Sequence, residues 1–220
     1  MSNGTNFEMG WDDIQTGSSQ QVDYMKLKDG ANILRIVGNP SQLAIHWEVT
    51  TDGARKKVLC TGNSDCILCE HGAKSQKRYQ MLVIDKNENW DVQEQKYTGT
   101  PKVKILEVGS SVIKQIKDYA MDKEYGDPKK YDIKIKKEGT GKDTRYSVVP
   151  GRNSSDLTQV ELDAIKEAPT IESVNKIHSK DEILGMNLAI LQGVGGGSSN
   201  AGSSSAGSED DGWGDDFDNF

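Results

Sequence analysis

Apolar and aromatic residues are scarce in this 220-residue sequence, at 34% and 6% of the chain respectively. A composition this polar cannot pack the whole chain, so we expect one medium-sized domain with unfolded appendages. No run approaches the roughly 18 consecutive apolar residues that cross a bilayer. The first 25 residues contain no Lys or Arg, which a secretory signal would carry. The sequence therefore predicts neither a membrane span nor a cleaved signal.

Cysteine is also rare, since the chain has only three. Three cysteines cannot all pair within one chain, and without an export signal the expected compartment is reducing. We therefore expect these residues to be metal ligands, free thiols or core side chains rather than parts of a disulfide framework.

Positive and negative charges are separated along the chain. The formal net charge is −7, yet residues 26–152 hold 24 Lys or Arg against 17 Asp or Glu, a net of +7, because 24 − 17 = 7. Residues 209–220 hold six acidic residues and no base. This separation is typical of a polyanion-binding domain with a detached acidic tail, although solvated surfaces also vary by several charges.

Composition divides the chain into four parts. Residues 1–25 are polar and acidic and are expected to form a flexible arm, followed by a folded core over residues 26–191. Residues 192–208 form a Gly/Ser linker, and residues 209–220 form an acidic tail.

Short apolar or alternating runs dominate the core and predict strands. They lie at residues 32–37, 43–50, 78–85, 102–108, 131–137 and 145–149. Helical patterns begin at Ser110, at Thr158 and near residue 180. Because strands and helices do not alternate regularly, we expect a mainly β, α+β fold, a five- or six-stranded barrel with a few short helices.

A cluster of metal-ligating residues is the strongest local signal. The cysteines are spaced Cys60-x5-Cys66-x2-Cys69, with His46 upstream and His71 downstream. Three thiolates and one imidazole suit a structural Zn²⁺ site, which would stabilise a subdomain at about residues 46–77. His46, on a neighbouring strand, is the better placed fourth ligand, but His71 stays an alternative, as do three unligated thiols.

A nucleobase deaminase is the alternative enzyme hypothesis. His46-Trp47-Glu48 followed by Cys66-Ile67-Leu68-Cys69 resembles the motif of the zinc deaminases, in which the Glu moves protons. Against it, Asp65 stands where the motif has Pro, and Cys60 offers a fourth ligand where catalysis needs an open position. No other catalytic motif is present, so we expect a protein that is not an enzyme.

Basic and aromatic residues are interleaved through the predicted strands and their loops. Such a mixture suits sequence-independent binding of single strands, because cations follow the phosphates and aromatic rings stack on bases. The alternative is that the tyrosines pack in the core and the lysines are merely solvated, which would leave a zinc-stabilised scaffold for protein partners. The candidate DNA-binding residues are Arg55, Lys56, Lys57, Lys77, Arg78, Tyr79, Trp90, Tyr97, Lys102, Lys104, Tyr131, Lys134, Lys136, Arg145 and Tyr146.

The acidic tail carries three aromatic residues, which solubility alone does not require. Apolar anchors in an acidic peptide suit docking to basic, apolar pockets of partner proteins, and the tail could also occupy the cationic groove when DNA is absent. The alternative is a solubility tail. The candidate partner-binding residues are Asp210, Asp211, Trp213, Asp215, Asp216, Phe217, Asp218 and Phe220.

Together, these features resemble a known family. The order His46, Cys60, Cys66, Cys69, the segments 79–85 and 103–112, the linker and the tail are similar to the zinc-containing single-stranded-DNA-binding proteins of T-even and related tailed bacteriophages. The resemblance covers most of residues 26–191 and the tail.

The resemblance implies an OB-fold core with one structural Zn²⁺ held by His46, Cys60, Cys66 and Cys69. It also implies sequence-independent binding and protection of single-stranded DNA in phage replication, recombination and repair. The tail would recruit phage replication and recombination proteins, and the protein would act in the cytoplasm of the infected bacterial host as a monomer or a weakly self-associating chain on DNA.

One feature departs from the family. Its T-even member has a basic N-terminal segment that mediates cooperative contacts, whereas residues 1–25 contain no base. We therefore do not expect strong cooperativity by that route.

Overall fold

The structure is a computed structural model that describes residues 23–193, except residues 63, 92 and 95. The acidic tail, residues 1–22 and the linker from residue 194 onward lie outside the described residues. The predictions made for those segments stay predictions.

Nine strands and five helices make up the described chain. The strands are β1 (Gly30–Ile36), β2 (Ser41–Val49), β3 (Arg55–Leu59), β4 (Gln76–Asp85), β5 (Trp90–Asp91), β6 (Lys96–Tyr97), β7 (Lys102–Val108), β8 (Tyr131–Glu138) and β9 (Arg145–Ser154). The helices are α1 (Ile67–Glu70), α2 (Ser110–Met121), α3 (Gln159–Glu167), α4 (Ile171–Val174) and α5 (Lys180–Leu184), and 3₁₀ turns lie at Pro128–Lys130, Gly141–Asp143 and Ala189–Gln192. The prediction of a mainly β fold with a few short helices is confirmed.

Strand β4 is the centre of one antiparallel sheet. The strand order is β3-β2-β4-β1-β8-β9, and β7 pairs with the other edge of β4. Along its first edge, β4 pairs with β2 through Gln76–Gln80 and with β1 through Val83–Asp85. The small β5–β6 hairpin forms a separate two-stranded sheet.

Strand pairing does not close this sheet. Within residues 23–193 as described, no ladder joins β7 or β3 to β9, so the expected barrel is not closed by hydrogen-bonded strands. Helix α2 instead packs against β9 and β4. Gln115 of α2 accepts a hydrogen bond from the Val148 N–H (3.0 Å) and donates one to the Tyr146 carbonyl (3.1 Å). A side chain thus satisfies edge groups of β9 that a neighbouring strand would otherwise pair.

The main core lies inside the curved sheet and beneath α2. In β8 the alternation is as the sequence predicts, with Tyr131, Ile133 and Ile135 buried. Their partners come from β1, β4, β7 and α2, which contribute Leu34, Ile36, Met81, Val83, Leu106, Val108, Val112 and Ile116.

A second, smaller core lies beside the hairpin of β2 and β3. Val58, Ile67 and Leu68 pack there with Ile183 and Leu188. The C-terminal segment is tied to the same region, because the Thr51 N–H donates to the Asn187 carbonyl (2.9 Å). This second core supports the loop that carries the cysteines.

The described chain begins by pairing with β7. Tyr24 forms a parallel bridge with Ile105: the Met25 N–H donates to the Ile105 carbonyl (2.9 Å), and the Ile105 N–H donates to the Asp23 carbonyl (3.0 Å). Met25, which the sequence places at the end of the arm, is only 6% exposed in the main core. None of the helices that the structure describes has the length and apolar character needed to cross a membrane.

Candidate functional site

Four potential metal ligands meet between the β2–β3 hairpin and α1. The ligand atoms of His46, Cys60, Cys66 and Cys69 all lie within 4.8 Å of one another. The Nε2 atom of His46 is 3.4 Å from Sγ of Cys66 and 3.5 Å from Sγ of Cys69. Sγ of Cys60 is 3.5 Å from Sγ of Cys69. The three cysteines and His46, the better placed of the two candidate histidines, are thus together in the folded chain.

Local structure explains how they meet. His46 lies on β2 opposite Val58 of β3, and Cys60 follows β3 directly, where its N–H donates to the Ala44 carbonyl (2.8 Å). Cys66 is the residue before α1, and Cys69 lies within that helix. The hairpin therefore supplies two donors and the short helix supplies the other two.

The protonation of the thiols follows from burial and from hydrogen bonds. Burial raises the pKa of the Cys66 thiol, but hydrogen bonds with the backbone of Cys69, Leu68 and Thr61 and with the Cys60 side chain together outweigh it, so the net pKa is lowered. Burial and the neighbouring thiols raise the pKa of Cys69 to about 12. Burial also lowers the pKa of His46, which favours the neutral imidazole that can ligate a metal.

The cluster fits a tetrahedral ion. With metal–sulfur bonds of about 2.3 Å and metal–nitrogen bonds of about 2.0–2.1 Å, tetrahedral ligand atoms lie about 3.5–3.8 Å apart. Three of the six separations, at 3.4–3.5 Å, agree with this geometry, and all six are within 4.8 Å. Three soft thiolates with one imidazole are a donor set typical of Zn²⁺.

His71 does not belong to the cluster. Its Nδ1 lies 2.8 Å from the Ile67 carbonyl oxygen, within one turn of its own helix, and its side chain is exposed. The alternative that His71 supplies the fourth donor is therefore not favoured by the geometry.

The surroundings of Glu48 do not match those of the proton-transferring Glu in a zinc deaminase. It lies on β2 opposite Lys56, and burial raises the pKa of its carboxyl group. The four-residue donor set would fill a tetrahedral ion, which leaves no position for the water that a deaminase activates. This arrangement disfavours the deaminase hypothesis.

A groove of about 350 Å³ lies on the other side of the β2–β3 hairpin. We call it the aromatic groove, because Tyr24, Trp47 and Tyr146 line it. Segment 24–27, which pairs with β7, forms part of its wall. The groove therefore brings together rings from the start of the described chain, from β2 and from β9.

Cationic side chains line the same groove. Lys26, Lys57 and Arg78 are among its lining residues. Lys57 lies opposite Trp47 in the sheet, and its Nζ is 5.6 Å from the Tyr24 ring centroid and 6.0 Å from that of Trp47. Lys57 also forms an ion pair with Glu107, which holds the ammonium group over the two rings. Arg55 shares the Lys57 face of β3, because side chains alternate along a strand.

Other predicted DNA-binding cations lie away from the aromatic groove. Lys134 and Lys136 are exposed on the outer face of β8, and Arg145 begins β9 opposite Glu138. Lys56 and Lys77 are exposed, opposite Glu48 and Ala44 on β2. The structure thus distributes the predicted cations over several faces rather than along one trough.

Two of the predicted DNA-binding cations, Lys102 and Lys104, form ion pairs with acidic residues at the C-terminal end of β4. Nζ of Lys104, a buried residue, lies 3.0 Å from Asp85 and 3.1 Å from Glu88. Lys102 lies 2.8 Å from Glu88. These contacts lower the pKa of Glu88 to about 2, chiefly through the hydrogen bond from Lys102.

Several predicted aromatic residues make structural contacts instead of facing the groove. Tyr131 is 3% exposed in the main core, and Tyr79 packs against that core. Trp90 and Tyr97 pack edge to face at 4.7 Å, and Lys86 Nζ lies 4.2 Å from the Trp90 ring centroid. The Tyr97 hydroxyl donates to Glu161 (2.7 Å), and burial raises its pKa.

The candidate set omitted three residues of the groove, Tyr24, Lys26 and Trp47. Trp47 lies next to the proposed ligand His46 on β2. Because side chains alternate along a strand, this position places Trp47 on the face opposite the metal cluster, and that was the only available signal. Tyr24 and Lys26 gave none, because they fall where the acidic arm meets the core and only the pairing with β7 brings them to the groove.

Comparison with known proteins gives one distant relative. The chain is 24% identical over 162 residues to the probable ssDNA-binding protein of Escherichia phage T5. The match covers 63% of this chain and 58% of the phage protein, so the chain spans little more than half of that relative. No protein-family model matches the chain, and no solved structure matches it.

Proposed function

We propose that this chain binds single-stranded DNA without sequence preference and that the aromatic groove holds the strand. The observation that carries this proposal is the convergence of three aromatic rings with Lys26, Lys57 and Arg78 in one groove. The similarity to a phage protein described as a probable ssDNA-binding protein supports the same function.

The groove has the two kinds of groups that an unpaired strand needs. Bases released from a duplex expose flat faces, which stack on rings such as Trp47 at about 1–3 kcal/mol per base. Phosphates attract Lys26 and Arg78 whatever the sequence. Arg55, on the Lys57 face of β3, extends the positive charge beyond the groove.

We also propose that the Cys and His cluster holds one structural Zn²⁺. The ion would fix α1 and the loop after β3 to the β2–β3 hairpin. Trp47 and Lys57 lie in this hairpin next to His46 and Val58, so the metal would stabilise one wall of the aromatic groove. The ion has no catalytic role in this proposal.

The finer assignments rest on the family resemblance. The sheet, with α2 covering the edge of β9, is proposed to be a modified OB fold. The protein would protect single-stranded DNA during phage replication, recombination and repair in the host cytoplasm. The acidic tail, with Trp213, Phe217 and Phe220, would recruit other phage replication and recombination proteins.

Fluorescence anisotropy with labelled oligo(dT) and duplex DNA across a salt series tests the DNA proposal. We expect preference for oligo(dT), with log affinity falling by about 0.7 per log unit of salt for each phosphate neutralised. Absence of binding to oligo(dT) would leave a protein-binding scaffold as the better hypothesis. Release of ammonia from cytosine or adenine oligonucleotides, lost in Glu48→Gln, would favour the deaminase instead.

A further inference from the structure

We infer that the acidic N-terminal arm, residues 1–22, occupies the aromatic groove of its own chain when DNA is absent. The arm would compete with the strand and set the salt range in which DNA can bind. This inference rests on the proposed function of the groove, which it extends to the regulation of the same site.

The arm is anchored at the wall of the groove. Asp23, Tyr24 and Met25 pair with β7 through two backbone hydrogen bonds, and Met25 is buried in the main core. Tyr24 and Lys26 are themselves groove residues. The last residue of the arm therefore lies two positions before Tyr24, the first residue of this wall.

The composition of the arm complements the groove. Residues 1–22 contain Glu8, Asp12 and Asp13 and no Lys or Arg, and Trp11 stands directly before the two aspartates. A segment that combines acidic side chains with an indole ring offers the same two features as a nucleotide, negative charge and a flat apolar face. The groove offers their counterparts, which are aromatic rings and the cations Lys26 and Arg78, whereas Lys57 is paired with Glu107, which also lines the groove.

The connection is long enough for Trp11 to fold back. Trp11 precedes Tyr24 by 13 residues. Any 13-residue segment spans at most about 43–47 Å when extended, and a random coil of this length averages about 20 Å. A ligand tethered this closely acts at an effective concentration in the millimolar range, so a weak contact is enough to fill the groove.

The acidic C-terminal tail is the competing occupant. The chain approaches its end through Ile190 and Leu191, which pack with the second core. That core lies on the Val58 face of β3, whereas Lys57 points to the groove from the opposite face. The tail would have to pass around the hairpin to reach the aromatic groove, while the arm is attached at the groove wall.

The first test compares oligo(dT) affinity for the full chain, for a chain lacking residues 2–22 and for E8Q/D12N/D13N. We expect both variants to bind about three- to tenfold more tightly at low salt, with the gain disappearing as salt is raised. The matched control removes residues 209–220 and should change affinity less. Unchanged affinity in both arm variants, or a larger gain from the tail deletion, would overturn the inference.

The second test does not depend on DNA. We expect the indole N–H resonance of Trp47, assigned with Trp47→Phe, to shift when the arm is removed at low salt and to shift less at high salt. The shift should not depend on protein concentration, because the contact is within one chain. A resonance that is unchanged, or a shift that appears only on concentration, would overturn the inference. A shift without oligo(dT) binding would leave the arm contact standing and reject the proposed function.

Discussion

The imidazole of His46 lies 3.4 Å from the thiol of Cys66, although 20 residues separate them in the chain. At this distance the two groups are in direct contact, and the thiols of Cys60 and Cys69 complete a cluster of four potential metal ligands. The contact connects a strand of the main sheet to a loop with little apolar content, so we expect a bound ion to hold them together.

Cys66→Ser tests the metal proposal. We expect the wild type to purify with one equivalent of zinc, the variant to lose it, and the unfolding free energy of the variant to fall by about 3 kcal/mol or more. Hydrogen exchange should quicken within residues 51–77. Elemental analysis with thermal unfolding measures both effects.

The matched control is His71→Ala, because His71 is exposed and lies outside the cluster. It should keep its zinc and its melting temperature. Full zinc retention in Cys66→Ser, or zinc loss in His71→Ala, would show that the proposed ligand set is wrong.

Trp47→Ala tests the aromatic groove. Removing a stacking ring should weaken oligo(dT) binding by about 1–3 kcal/mol, which corresponds to roughly 5- to 150-fold. Lys57→Gln should weaken binding less and reduce the salt slope by about 0.7 if Lys57 neutralises one phosphate. Anisotropy titrations at several salt concentrations separate the two effects.

Trp90→Ala and Lys134→Gln are the controls for the groove variants. Trp90 packs on Tyr97 and Lys86, and Lys134 lies on the outer face of β8. We expect both to keep wild-type affinity for oligo(dT). If they weaken binding as much as the groove variants do, the strand follows another surface.

The sequence predicts an element well when its pattern of apolar and polar residues matches the pattern of buried and exposed positions in the fold. The alternation of Tyr131, Ile133 and Ile135 identifies β8, because one face of that strand is buried. It does not reveal β3, whose Arg-Lys-Lys start resembles a loop, since this edge strand buries only Val58 fully. Helix α1 has four residues, too few for a periodic pattern, and its Ile67 and Leu68 are buried in the second core.

The candidate site shows the same division. Residue type and spacing identify the three cysteines and two candidate histidines, because few side chains ligate zinc, and the folded chain brings His46 rather than His71 to the cysteines. Cations are common on any surface, so counting them could not show which ones face the groove. Strand register decides that, since it directs Lys57 to the groove and Lys134 to the outer face of β8.

Gln115→Ala tests how the sheet edge is protected. The variant removes the side-chain oxygen that accepts from the Val148 N–H and the side-chain N–H that donates to the Tyr146 carbonyl. We therefore expect a loss of about 1–3 kcal/mol in unfolding free energy. Chemical denaturation measures the loss. Gln159→Ala is the matched control, because its exposed side chain bonds only to Asp163 on the same helix, and we expect a change below about 0.5 kcal/mol. Equal effects would mean that the Gln115 bonds contribute little.

Glu88→Gln tests the ion pairs at the end of β4. The pKa of Glu88 is lowered from 4.5 to about 2, so its carboxylate stabilises the fold above pH 4.5 and loses this effect as pH falls towards 2. We expect Glu88→Gln to melt below the wild type at pH 7, with the two melting temperatures converging near pH 2. Because a third of the side chain is exposed, the difference should stay below about 1 kcal/mol.

Lys102→Gln should reproduce part of this loss, since Lys102 is the largest cause of the lowered pKa. If the difference in melting temperature between Glu88→Gln and the wild type stays constant from pH 7 to pH 2, the lowered pKa of Glu88 is contradicted.

The pairing of Tyr24 with Ile105 also bears on how the protein is handled in the laboratory. Because residues 24–27 form a wall of the groove, any purification tag or reporter fused ahead of residue 1 is joined to this wall through residues 1–23. On such a tether, the imidazoles of a histidine-rich tag or a bulky fluorescent domain can reach Tyr24, Trp47 and Tyr146. Measurements made with such fusions should be repeated after cleavage.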